Sequence, residues 1–121
     1  MFLDVYVGFF DETFDWDGWS SVGNAPKRRS PFFPGGNEIN RELRARIKAG
    51  AYEGRQVDWG AWVAKANRQQ ILDFINSVYS EAQIDDWAKS LPHLKEQYDE
   101  LVAFVEALDP EANYALTASE L

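Results

Sequence analysis

A chain of 121 residues that is 45% apolar has the length of one domain and enough apolar side chains for a core, which argues against disorder. Its net charge of −8 disfavours non-specific binding to nucleic acid or to an anionic membrane, and the lack of cysteine excludes a disulfide framework or a thiolate metal site. The first residues lack the basic and apolar stretches of a signal peptide and no apolar run is long enough to span a bilayer, so the expectation is a soluble, cytoplasmic protein.

Residues 2–10 read as a strand. Leu3, Val5, Val7 and Phe9 fall on one face by period two, and Phe2, Tyr6 and Phe10 share the other with Asp4 and Gly8. Two largely apolar faces predict an inner strand, or one covered on both sides. Residues 11–37 have little periodicity and contain Gly18, Gly23, Pro26, Pro31, Pro34, Gly35 and Gly36. Loops of this length inside a folded domain are uncommon and tend to be functional or disordered. Phe14, Trp16, Trp19, Phe32 and Phe33 are too many aromatics for a disordered linker, so the segment is expected to pack against the body, with a short strand or turn near residues 16–22.

Asn37 suits an N-cap, and residues 38–49 read as a helix closed by Gly50. Ile39, Leu43 and Ile47 form its apolar stripe, with Arg41, Arg44 and Lys48 opposite. Residues 56–66 read as a second strand, with Val57, Trp59, Ala61 and Val63 on one face and Trp62 on the other. Were it parallel to the first strand, the intervening helix would form a right-handed crossover. Asn67 followed by Gln70 has the form of a capping box. Ile71, Leu72, Phe74, Ile75, Val78 and Tyr79 then give a wide helical stripe ending near Ser80. Residues 84–90 predict a short helix or turn. Pro92 opens another helix, whose seam is Leu94, Tyr98, Leu101, Val105 and Leu108 and whose end is Asp109-Pro110. Tyr114, Leu116 and Ala118 share a face of a last strand. Residues 1–121 are therefore read as one α+β domain, a small sheet of about three strands covered by three to four helices, in the order β-(long loop)-α-β-α-α-β.

Charge is sorted along this chain. Residues 1–26 sum to −5, residues 27–70 to +6 and residues 71–121 to −9. Such blocks give a folded domain separate surfaces of opposite potential. Asp11, Glu12, Asp15 and Asp17 precede Gly18 in the manner of a calcium loop, because a hard cation needs several oxygens at close range. Aligned on Gly18, however, Thr13 takes the first ligand position and Asn24 stands where a bidentate Glu is required, so no metal site is expected. Trp16 and Trp19, interleaved with these acids, could grip a basic partner, since Trp is enriched at interfaces and stacks on Arg.

Lys27, Arg28 and Arg29, with Arg41, Arg44 and Lys48, are the candidate anion site; Phe32 and Phe33 could stack bases. The acidic remainder of the chain argues against direct nucleic-acid binding. His93, the single histidine, has no nucleophile motif for company, and one His cannot build a His-rich zinc site. Asp15/Asp17 and Asp85/Asp86 are nominal carboxylate pairs of the kind used in glycoside hydrolysis, but neighbouring acids are usually solvated charge. Pro34-Gly35-Gly36-Asn37 lacks the Lys-Ser/Thr end of a phosphate loop. Neither an enzymatic activity nor a cofactor is expected.

The expectation is a small acidic binding module that docks on a basic, nucleic-acid-handling protein through residues 11–17 and the exposed side of residues 81–111. Asp11, Glu12, Asp15 and Asp17 would supply charge, and Trp16 and Trp19 the desolvated anchors. Small inhibitors of nucleic-acid enzymes, immunity proteins and phage-encoded anti-defence proteins share this profile of size and charge, which is analogy rather than descent. A second expectation is a homo-oligomer, or a binder of small anions, that uses the basic region of residues 27–48.

Overall fold

The computed structural model describes residues 3–10, 29–58 and 61–120. Alternation of large apolar residues on one side with smaller ones on the other lets the last strand, β4 (Asn113–Glu120), lie inside the sheet. Its Tyr114, Leu116 and Ala118 join the main core, while Ala115, Thr117 and Ser119 are buried on the opposite face. β4 pairs antiparallel with β1 (Leu3–Phe9) on one side and with β3 (Ala61–Asn67) on the other; β2 (Glu53–Asp58) completes the order β1-β4-β3-β2. The helices are α1 (Gly36–Lys48), α2 (Arg68–Val78), α3 (Glu81–Ser90) and α4 (Pro92–Glu106). Their apolar stripes meet Val5, Val7, Ala64, Ala66 and Leu116 in one core. The architecture is α+β, as the periodicity predicts. No helix among the described residues is long and apolar enough to cross a membrane.

The strand expected over residues 56–66 is instead a hairpin, so the sheet has four strands rather than about three. The period-two pattern continues through both arms and hides the break: Val57, Ala61 and Val63 do share a face, and Trp62 does point to the helices. β1 is an edge strand in the sheet order, not an inner one, because β4 takes the inner place. Its outer edge is partly paired all the same. Arg29 bridges Gly8, Ser30 N donates to Val7 O at 2.8 Å and Phe33 N to Val5 O at 2.9 Å. The same segment covers the face of β1 that turns away from the helices, where the Tyr6 ring meets that of Phe32 at 6.2 Å between centroids and the Arg29 guanidinium at 5.2 Å. β1 and β2 lie at opposite edges of an all-antiparallel sheet, so α1 is not a parallel crossover.

α1 begins two residues earlier than Asn37 predicts. Gly35 is its N-cap, in the left-handed region at φ 85°, which suits a residue without a Cβ. The capping box at the start of α2 forms as expected. Asn67 Oδ1 accepts from Gln70 N at 2.9 Å, and Gln70 Oε1 accepts from Asn67 N at 3.0 Å. α3 starts at Glu81, earlier than the apolar pattern indicates, because the Ser80 hydroxyl caps Gln83 N at 3.1 Å.

Asn40, 1% exposed, ties α1 to the sheet. Its Nδ2 donates to Asp4 O and to Ser119 O, each at 3.2 Å, reaching β1 and β4 together. Removing it leaves two carbonyls short of a donor in a buried place. Asn40→Ala should cost about 1–3 kcal/mol in chemical denaturation. Asn40→Asp should cost more at neutral pH, since it turns a carboxylate toward two carbonyl oxygens, and part of that excess should vanish when the carboxylate is protonated in acid. At the other edge, a Cβ on Gly54 would lie 2.3 Å from Val63 O. Gly54→Ala should therefore loosen the β2–β3 ladder by about 1–3 kcal/mol, read as faster amide exchange on both strands.

Candidate functional site

The sequence-derived contact residues Asp11, Glu12, Asp15, Trp16, Asp17 and Trp19 lie outside the described residues, as do Lys27, Arg28 and Trp59. The second acidic segment, residues 81–111, is described in full. The outward face of α4 follows from its spacing: Asp99 and Glu100 lie three and four residues after Glu96, Glu106 returns to the same side two turns after Asp99, and all four are exposed, opposite the buried Leu101 and Val105. α3 adds Glu81, Asp85 and Asp86, and the turn after α4 adds Asp109 and Glu111, again all exposed. Lys95 holds Asp99 at 2.6 Å. No other acid in this set forms an ion pair with a described residue.

An aromatic cluster makes this acidic surface rigid. Tyr79 meets Trp87 at 5.5 Å and Tyr98 at 5.6 Å between ring centroids, and Trp87 meets Tyr98 at 6.4 Å, all edge-on. These contacts join α3, α4 and the residue that ends α2. The Tyr79 hydroxyl donates to Pro34 O, and Gln97 Nε2 donates to Phe32 O at 2.6 Å, so the pair of helices is also stitched to the segment that edges β1.

At the C-terminal end of α4 the acidic face meets a cleft of about 200 Å3, lined by Phe9, Phe104, Ala107, Leu108, Asp109 and Tyr114. Phe9 is 47% exposed and lies 6.0 Å from Tyr114 between ring centroids. The Tyr114 hydroxyl accepts from Asp109 N at 2.9 Å, and Asp109 Oδ1 accepts from Glu111 N at 2.9 Å, which fixes both side chains. Sequence reasoning missed this cleft. Phe9 and Phe104 read as face residues of a strand and a helix, and their meeting depends on where β1 and β4 pair.

The basic residues are arranged differently. Arg29 stacks on Tyr6 and Phe32, its guanidinium 5.2 and 4.7 Å from their centroids, on the sheet face opposite the helices. Arg41, Arg44 and Lys48 belong to α1, on the helical side. The described members of the candidate anion site therefore do not meet. Much of the helical charge is engaged within the fold. Arg46 bonds Glu42 at 2.9 Å and the Ser77 hydroxyl at 2.8 Å, and Lys48 lies 5.1 Å from the Trp62 centroid. His93 is exposed in the first turn of α4. Among the described residues no three His, Asp or Glu side chains converge on a metal position. Comparison with family models, curated proteins and solved structures gives no match.

Burial pushes the Tyr79 phenol far above the usual tyrosine range, and the neighbouring Tyr98 adds to the rise. Tyr98 is raised by burial and by the carboxylate of Asp99. Burial also raises Tyr6, against the nearby charge of Arg29. In the unfolded chain these phenols ionise near pH 10.0, while the folded chain holds their protons. Their contribution to stability is thus complete below that pH and is lost as pH rises toward the folded values. Alkaline titration followed by tyrosinate absorbance should show late ionisation that coincides with unfolding. Tyr79→Phe should weaken that pH dependence while costing about 1 kcal/mol at neutral pH for the lost bond to Pro34 O.

Proposed function

We propose that the chain is a non-enzymatic acidic binding module that docks on a basic, nucleic-acid-handling protein through the exposed face of α3, α4 and the turn that follows. The observation that carries this reading is the set of exposed carboxylates on that face, in which Asp99 alone has an internal ion pair among the described residues. Unpaired surface acids held close together repel one another and destabilise the chain that carries them. A cationic partner relieves that repulsion, and opposite charge accelerates encounter.

The aromatic cluster beneath supports the same reading. It presents the acids on helices whose relative position is set before a partner arrives, so less order must be imposed on binding. Inhibition of the partner, by covering the basic surface with which it holds nucleic acid, is the activity such a module would exert. At the surface Arg46 is already paired with Glu42 and Lys48 lies over the Trp62 ring, which leaves less positive charge for pairing with a second copy.

Capture of binding proteins from the source cells at low salt tests the proposal, comparing the wild-type chain with Asp85→Lys/Asp86→Lys/Glu96→Lys. A basic protein should be retained by the wild-type chain and released as salt rises. The triple variant should capture it with an on-rate at least tenfold lower at low salt, with its circular dichroism unchanged. Equal capture by the variant, or partners that ignore salt, would remove this reading.

A further inference from the structure

We propose that the cleft at the end of α4 receives an arginine side chain of the basic partner, an inference that rests on the docking reading above. Three aromatic residues, Phe9, Phe104 and Tyr114, line the cleft together with the acidic Asp109. Aromatic faces attract a cation through their quadrupole, and a guanidinium is flat enough to stack on them while its edge meets a carboxylate. At about 200 Å3 the space is small for a free organic ligand and suited to a single long side chain.

Charge favours a cation over an apolar guest. Glu100 stands one turn before Phe104 on the same flank of α4, and Asp109 lines the cleft itself. The C-terminal end of a helix also carries partial negative charge. The protein's own Arg68 answers it there, donating to Glu106 O and Leu108 O at 3.4 Å each. That contact takes up the helix-end carbonyls and leaves the Asp109 carboxylate without an ion pair among the described residues. The bonds from Asp109 N to Tyr114 and from Glu111 N to Asp109 hold ring and carboxylate in place before a guest arrives. Phe9, one of two large apolar residues strongly exposed among those described, loses its water contact when a guest stacks on it.

The test is an amide NMR titration of the whole chain at low salt with a capped Gly-Arg-Gly-Arg-Gly peptide, set against its lysine and leucine counterparts. The arginine peptide should move the amides of Phe9, Phe104, Leu108 and Tyr114. Phe9→Leu keeps an apolar side chain but removes the ring, and should weaken binding about 5- to 30-fold with the rest of the spectrum unchanged. Asp109→Asn retains the acceptor for Glu111 N and should weaken it about two- to fivefold.

No binding, or shifts confined to the carboxylate-bearing faces of α3 and α4 and indifferent to Phe9→Leu, would overturn the cleft and leave the acidic docking surface standing. Equal binding of the lysine peptide would overturn the preference for arginine, and entry of the leucine peptide would overturn a cationic guest. If the arginine peptide enters the cleft but the intact chain retains no basic protein, the docking reading fails and the cleft assignment survives it.

Discussion

The insertion of β4 between β1 and β3 is the interaction on which the rest of the structure depends. It pairs Leu3 with Glu120 at one margin and Asn67 with Asn113 at the other. The two ends of the described chain are thereby held in neighbouring strands, and β1 is joined to the β2–β3 hairpin only when the last strand arrives, to complete the sheet on which α1 and α2 pack. The entropy of closing so long a loop rises only slowly with length, so the pairing is thermodynamically feasible. Its cost is mainly kinetic, because non-local strands must meet before their contacts are rewarded. Asn40 secures the same junction from above, one side-chain amide reaching carbonyls of both β1 and β4. Small residues make the insertion possible. Ala115, Thr117 and Ser119 let β4 lie between two strands with its second face fully buried.

From this junction follows the position of the acidic surface. β4 begins where α4 and its turn end, so Tyr114 lies beside Phe9 of β1 and under Asp109. The aromatic cluster of Tyr79, Trp87 and Tyr98 then sets α3 against α4, with the apolar seams inward and the carboxylates outward. Burial of a polar phenol in that cluster is tolerable because Tyr79 donates to Pro34 O. The negative and positive segments of the chain thus end in different situations. Arg29, Arg46 and Lys48 lie against the protein's own rings or carboxylates, whereas most acids of residues 81–111 are exposed and have no ion pair among the described residues.

Local signals were legible where they were self-contained. The α2 capping box needs only Asn67 and Gln70, and both bonds form. The seam through Leu101, Val105 and Leu108 is buried because helical periodicity places those residues together whatever they pack against. The hairpin of β2 and β3 was not legible, because side-chain alternation continues in phase from Val57 to Ala61. The edge position of β1 was hidden for a related reason. Apolar residues on both faces mark a covered strand, but cover can come from the 29–33 segment as readily as from a neighbouring strand.

Composition and periodicity by themselves determined the α+β class, the helices, the face that each strand turns to the core, and the sorting of charge into blocks. Those properties depend on residue identity and on fixed local repeats of two and 3.6. Strand order, the stacking of Arg46 on Phe74 and the gathering of Phe9, Phe104 and Tyr114 around one cleft were decided by tertiary structure alone. Each joins residues far apart in the chain, and no local repeat encodes which distant partner a face will meet.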